Sequence, residues 1–259
     1  MQVIRTGSVT LHVQQDGPQD GRVVMFGNSL GSDLRVWDAL VPLLHNLRLV
    51  RFDKRGHGLS DCPNGPYTIE MLAGDAAAVA DALGLQDITF IGLSIGGLIG
   101  QELAASRPDL IKALVLMDTA SKIGNDEMWQ TRINAIRDGG LLPLADTILP
   151  RWFAKSYIAN NPELALWRNM LTRTPAEGYI ACCHAINAAD LTDKTRALTI
   201  PVTSMAGVED GSTPPDIVRA TAELCGAPFH LIDDASHLPC VEKPDVVAKI
   251  INDFIQATQ

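Results

Sequence analysis

Positive charge is scarce in this chain: 21 Lys and Arg stand against 30 Asp and Glu in 259 residues, a formal net charge of −9. A surface of that sign repels phosphate backbones and anionic headgroups, so neither nucleic acid nor a membrane is expected as a partner. No stretch approaches the about 18 consecutive apolar residues that a bilayer span requires. The first residues, Met1-Gln2-Val3-Ile4-Arg5, do not lead a basic segment into an apolar one, so export is not expected either. Five cysteines, Cys62, Cys182, Cys183, Cys225 and Cys240, form an odd set with no C-x-x-C pair and no metal-type His/Cys spacing. They read as free thiols in a reducing compartment, the cytoplasm, and no metal site is expected. Internal repeats and low-complexity tracts are also missing. What the chain has in quantity is apolar side chains: 46% of residues are hydrophobic and 20% charged, enough for a large core. Its length suits one α/β domain with an insertion, or two small domains.

Strand and helix patterns alternate through most of the sequence. Val9–Gln14 alternates apolar and polar residues, as an antiparallel edge strand would, and Val23–Phe26 is a short buried strand. Asp33–Leu44 has helical spacing, with Trp37, Leu40, Leu43 and Leu44 on one side. Leu47–Phe52 is a strand, Thr68–Leu83 an Ala-rich helix, and Ile88–Leu93 and Leu110–Met117 are strands flanking a helix that stops at Pro108. The alternation breaks at about Ala120 and resumes at Pro201–Ala206 (strand), Pro214–Cys225 (helix), Phe229–Ile232 (strand) and Pro244–Ala257 (helix). Strand, helix, strand in this order implies parallel pairing with right-handed crossovers. The expected fold class is therefore α/β: a parallel-rich sheet formed by 1–120 and 197–259, covered on both faces. A helical cap, 121–196, is inserted between the sixth and seventh strands.

One motif stands out. The apolar run Ile88–Leu93 ends in Gly92-x-Ser94-x-Gly96, and a helical pattern begins at once. A tight strand-to-helix turn of this kind holds a serine hydroxyl out at the end of a sheet, with small residues two before and two after it so that neighbouring backbones can pass. Serine is a poor nucleophile at neutral pH and needs a base, most often histidine. Of six histidines, His12 and His230 lie inside strand patterns, His45 follows a helix, His184 is in the cap and His57 sits in a loop that looks structural. His237 follows the last strand, at a carboxyl end, where open α/β sheets place their active residues. An acid should orient that imidazole. Asp210, just past the seventh strand, leaves room for one helix and one strand before His237. Asp118, at the end of the sixth strand, is the rival; Glu209 points away, and Asp233 and Asp234 come too soon before the histidine. The order Ser94, Asp210, His237 is that of the α/β-hydrolases.

A tetrahedral oxyanion needs two fixed backbone donors. One is the N–H of Ile95, the residue after the serine. The other is expected from the loop Phe26-Gly-Asn-Ser-Leu-Gly31, where Leu30 follows the place of a commonly seen His-Gly pair. Here Asn28-Ser29 replaces that pair, which implies a locally different hydrogen-bond network. The cap differs in charge from the body: nine Lys and Arg against eight Asp and Glu, and three of the four tryptophans. Two readings stand side by side, a lid lining a pocket for a small anion and ordinary helix packing with solvated arginines. Under the first, Arg132 beside Trp129 is the preferred cation, and Arg151 beside Trp152 the second.

With these pieces placed, the chain resembles an α/β-hydrolase along essentially its whole length. The residues that carry the likeness are Gly92-Leu-Ser-Ile-Gly96, Asp53-x-Arg55-Gly56-x-Gly58-x-Ser60, Gly207-x-x-Asp210 and Ser236-His237. More specific wording is similar to the 3-oxoadipate enol-lactonases: Asn28-Ser-Leu-Gly31 followed by Trp37, Gly92–Gln101, Asp118-Thr-Ala-Ser-Lys-Ile-Gly124, Asp210–Pro215 and His237–Pro244. That resemblance implies hydrolysis of a small anionic enol-lactone to 3-oxoadipate, a late step of bacterial aromatic-ring breakdown in the beta-ketoadipate pathway, with no cofactor. The alternatives are a carboxylesterase or carbon–carbon bond hydrolase of ring-cleavage products, and a ligand-sensing receptor on the same fold.

Overall fold

A strand buried on both faces cannot alternate polar and apolar residues, and Ile88–Leu93 does not: every one of its side chains is buried. It is the fifth of eight strands in the structure, a computed structural model that describes residues 2–7 and 9–258. The strands are β1 (Gln2–Thr6), β2 (Val9–Asp16), β3 (Arg22–Gly27), β4 (Leu47–Phe52), β5 (Ile88–Leu93), β6 (Ile111–Met117), β7 (Val202–Gly207) and β8 (Phe229–Ile232). They form one sheet in the order β1-β2-β4-β3-β5-β6-β7-β8. β1 and β2 run antiparallel to their neighbours, and the strands from β4 through β8 are mutually parallel.

Five helices belong to the alternating part: α1 (Ile69–Ala82), α2 (Ile95–Ser106), α9 (Pro215–Leu224), α10 (Pro239–Glu242) and α11 (Pro244–Ala257). α1 starts where Thr68, in extended conformation, accepts a hydrogen bond from the Met71 N–H at 3.2 Å. Between β6 and β7 the chain makes α3 (Asp126–Gly139), α4 (Leu141–Trp152), α5 (Lys155–Asn160), α6 (Leu164–Thr172), α7 (Ala176–Ala188) and α8 (Thr192–Arg196). α3 packs on α7, and α4 on α6. Among the described residues no helix is long and apolar enough to cross a membrane.

Two expectations need correction. Val9–Gln14 is not the edge of the sheet, because β1 pairs outside it. β1 escaped notice because among its five residues only Ile4 is buried, too little to show a period of two. The expected helix over Asp33–Leu44 is two 3-10 turns, Leu34–Trp37 and Val41–Leu43. Pro42 lies inside that stretch, where a continuous α-helix would need the N–H that proline lacks and would meet its ring. The apolar spacing is largely real: Trp37, Leu40 and Leu44 are buried, and Leu43 is partly buried against the core.

Candidate active site

The sheet delivers Ser94 to the junction of β5 and α2 in a conformation that few L-residues adopt, φ 58° and ψ −120°. Such a backbone costs on the order of 1–3 kcal/mol and persists only when its surroundings determine it. They do. The Ser94 N–H donates to the Met117 carbonyl at 3.0 Å, while its own carbonyl accepts from Thr119 Oγ1 at 2.7 Å and from the Gly97 N–H at 2.8 Å. A Cβ on Gly92 would strike the Gly96 carbonyl, and one on Gly96 the Gly27 carbonyl. The glycines of the motif are therefore a steric requirement of the turn.

His237 lies on the loop after β8, and its Nδ1 is 2.9 Å from Asp210 Oδ2. Both side chains are buried. Asp210 is itself held from three sides: Oδ1 accepts from the N–H groups of Ser212 (2.7 Å) and Thr213 (3.1 Å), and Oδ2 accepts from Thr213 Oγ1 (2.6 Å). Burial alone would raise this carboxyl, but the His237 imidazole and the hydrogen bonds from His237, Thr213 and Ser212 outweigh it and hold it below its ordinary value. An imidazole oriented in this way through Nδ1 presents Nε2 as a base.

The rival acid, Asp118, is also close. One ligand atom each of Asp118, Asp210 and His237 falls within 4.8 Å of the others, the one such His/Cys/Asp/Glu grouping among the described residues. A metal there would have to displace the hydrogen bond between His237 and Asp210. Asp118 differs from Asp210 in its partners: Oδ1 accepts from the Gly207 N–H at 2.9 Å, and Oδ2 is buried with none. Burial, and then the negative charge of Asp210, push its carboxyl well above the ordinary range. Asp118 is thus a carboxyl pushed toward its neutral form, behind one held toward its ionised form. Glu209 turns outward and accepts from the Lys155 N–H, Asp233 is exposed, and Asp234 is taken by Lys243 and Ser156.

Neither the Leu30 nor the Ile95 N–H donates to a protein acceptor among the described residues. The loop carrying Leu30 is tied at each neighbouring position. Asn28 donates to the Phe52 carbonyl (2.8 Å) and accepts from Trp37 Nε1 (2.7 Å). Lys54 Nζ donates to the carbonyls of Ser29 (2.7 Å) and Ser32 (3.2 Å), and the Gly31 N–H donates to His57 Nε2 (3.0 Å). Burial, with help from the Lys54 charge, pushes the His57 imidazole well below its ordinary value, so it stays a neutral acceptor. In the same loop, Ser29 Oγ sits 3.3 Å from His237 Nε2.

Ser94, His237 and Leu30 line one small cavity of about 40 Å³, and its opposite wall comes from α3, α4 and α7. Trp129, Arg132, Arg151 and Trp152 are all on that wall, joined by Tyr179. The Arg132 guanidinium lies over the Trp129 ring, 5.0 Å from its centroid, and Trp129 Nε1 is anchored on the Ile123 carbonyl at 2.7 Å. Neither Arg132 nor Arg151 has an acidic partner among the described residues. The space holds about one to three waters, less than a ring-sized ligand fills. A far larger open groove, about 1040 Å³, runs between α5–α6 and the turn at 33–39, away from Ser94 and His237. Sequence reasoning passed over Ser29, Lys54, Thr213 and Tyr179. Thr213 carried a local signal, a hydroxyl three residues after a carboxylate; Tyr179 carried none.

A strained serine at a strand-to-helix turn, a histidine–aspartate pair at neighbouring strand ends and helices folded over them describe a well-populated architecture. The family model of the alpha/beta hydrolase fold matches residues 22–244, and the chain belongs to that family. Within it, the chain is 36% identical to 3-oxoadipate enol-lactonase 2 of Acinetobacter baylyi over 91% of this chain and 89% of that protein. It is 32% identical to enol-lactonase 1 of the same organism, over 96% and 94%. Among solved structures, the enol-lactonase from Burkholderia xenovorans LB400 superposes with a TM-score of 0.95 at 37% identity, covering 98% of this chain and all of that one. A thermophilic esterase from Thermogutta terrifontis, with malate bound, superposes at 0.93 with 28% identity, covering 100% and 99%.

Proposed function

We propose that this protein hydrolyses 3-oxoadipate enol-lactone to 3-oxoadipate through a serine acyl-enzyme, in the beta-ketoadipate route of aromatic-compound breakdown. The supporting observation is a cavity with Ser94 and His237 on the sheet side and, on the helical side, two arginines that have no acidic partner among the described residues. The likeness to enol-lactonases over nearly the whole chain fits the same reading.

In this reading Ser94 Oγ attacks the ring carbonyl while His237 Nε2 takes its proton. The oxyanion rests on the N–H groups of Leu30 and Ile95. Asp210 keeps Nδ1 protonated and stabilises the imidazolium. The tetrahedral adduct collapses, the ring C–O bond breaks, and His237 returns the proton to the departing enol oxygen. That oxygen stays tethered to the acyl group, so reclosure competes with hydrolysis. Tautomerisation to the ketone removes the competing nucleophile. Water, deprotonated by His237, then releases Ser94 and the free acid. The ring carboxylate pairs with Arg132, with Arg151 as second cation, while Trp129 and Trp152 cover its apolar edge. Residues 121–196 act as the cap that admits substrate. Five unpaired cysteines support a reducing, cytoplasmic setting.

Ultraviolet loss of authentic enol-lactone tests the proposal, with short aryl acetates and vinylogous diketones run in parallel. Wild-type protein is expected to consume the lactone fastest, and Ser94→Ala to lose at least about 10⁴-fold in kcat with an unchanged circular dichroism spectrum. Faster turnover of aryl acetates would favour the carboxylesterase reading, and of diketones the carbon–carbon hydrolase. No turnover of any of them would leave a ligand sensor.

A further inference from the structure

A buried ammonium ordinarily sits against a carboxylate, because an uncompensated charge in the interior is costly. Lys54 does not. It is 2% exposed, and among the described residues no carboxylate lies within ion-pair distance of its Nζ. Its neighbour Asp53 is occupied by His12 and by the N–H groups of Leu34 and Leu59, and Asp33 by Arg35. Instead the ammonium donates to two carbonyls of one loop, Ser29 at 2.7 Å and Ser32 at 3.2 Å.

The first of these carbonyls belongs to the peptide unit whose nitrogen is Leu30. A trans peptide is planar, with C=O and N–H pointing in opposite directions. The Ser29 oxygen also accepts from the Ser32 N–H (3.2 Å) and Oγ (3.0 Å), and with them the cation, the nearest of the three donors, sets the direction of the Leu30 N–H on the other side of the same plane. The cation also withdraws electron density from that oxygen, which makes the N–H a stronger donor. The Gly31 N–H, one residue on, is turned away to His57 and cannot compete for the same position. We infer that Lys54 is a positioning residue of the oxyanion hole: its ammonium holds and polarises the Ser29–Leu30 peptide so that the Leu30 N–H meets the developing negative charge. The inference rests on the assignment of Leu30 as an oxyanion donor made above.

The state of the ammonium then matters. Burial pulls Lys54 down to about 8, against weaker support from Cys182 on α7 and from Asp53 and Asp33. His57, the other titratable group facing it, is neutral. Deprotonation would leave the Ser29 carbonyl to the Ser32 N–H (3.2 Å) and Oγ (3.0 Å) and to a neutral amine, a poorer donor that no longer polarises the peptide.

The test is a comparison of wild type with Lys54→Met, using both an aryl acetate and the enol-lactone. The variant is expected to lose about 10- to 100-fold in kcat, less than deleting a whole oxyanion donor, with KM changed by less than about threefold. Wild-type kcat should fall on the alkaline side with a midpoint near the value of about 8 given above, and Lys54→Met should lack that limb. At pH 7 the variant should bind phenylboronic acid, which forms a tetrahedral anionic adduct on serine, about tenfold more weakly. A folded Lys54→Met with wild-type kcat and an intact alkaline limb overturns the inference. Should the variant fail to fold, a wild-type kcat flat through about pH 9.5 overturns it, and the expected fall supports it. Hydrolysis that survives Ser94→Ala removes the acyl-enzyme reading and the role of Lys54 with it. Serine-dependent hydrolysis with no effect at Lys54 removes the second alone.

Discussion

The two walls of the cavity are built to different tolerances. On the sheet side, the Ser94 carbonyl and N–H, both oxygens of Asp210 and the peptides around Leu30 each have a fixed partner, most at 2.6–3.1 Å. On the cap side, Arg132 rests on an indole face and Arg151 is exposed, and neither is pinned by an acid among the described residues. Bond-making chemistry needs reacting atoms held closely, because misplacement by an ångström costs orders of magnitude. A carboxylate-binding cation needs only to be present and free, since its energy falls slowly with distance. The contrast teaches where each kind of substitution should hurt: the sheet wall in kcat, the cap wall in KM.

The largest effect that could break this contrast lies in the two acids beneath His237. Asp210→Asn should lower kcat by about 10³- to 10⁴-fold, because an amide no longer holds the imidazole in the needed tautomer. Asp118→Asn should cost less than about tenfold, since an amide oxygen can still accept from the Gly207 N–H and burial already disfavours a charge there. Steady-state kinetics at pH 7 on both variants decide between them, and the reverse order would make Asp118 the orienting acid. Next in size, Arg132→Leu should raise KM for the enol-lactone by about 10- to 100-fold, the cost of a charge-assisted hydrogen bond, and leave KM for a neutral aryl acetate unchanged. Unaltered lactone kinetics would remove Arg132 from the site and turn attention to Arg151. The smallest effect is remote from both walls. Thr68→Ala deletes the cap of α1 and should lower unfolding free energy by about 1 kcal/mol in urea titration, with kcat untouched.

Much of this was legible before any coordinates. Uninterrupted apolar runs such as Ile88–Leu93 mark strands covered on both faces, and the glycines around Ser94 announce a turn that admits no Cβ. Other parts were hidden for physical reasons. β1 buries one side chain in five and is held chiefly by backbone pairing with β2, which leaves almost no pattern in the residues. The segment 33–44 keeps helical spacing although Pro42 divides it into 3-10 turns. Ser29, 208 positions from His237, meets it only because two loops converge at the carboxyl ends of β3 and β8.

Local chemistry, written residue by residue, was enough to determine the order of the sheet strands from β2 on and of the helices between them apart from the segment 33–44, the kinked serine and the candidates for base and acid, because each depends on neighbours a few positions away. Folding in three dimensions decided which carboxyl is held below its ordinary value and which is pushed above it, how a lysine comes to lie under the Ser29 carbonyl and which arginines face the cavity. Those outcomes depend on burial and on distances between segments far apart in the chain, and no stretch of sequence carries either.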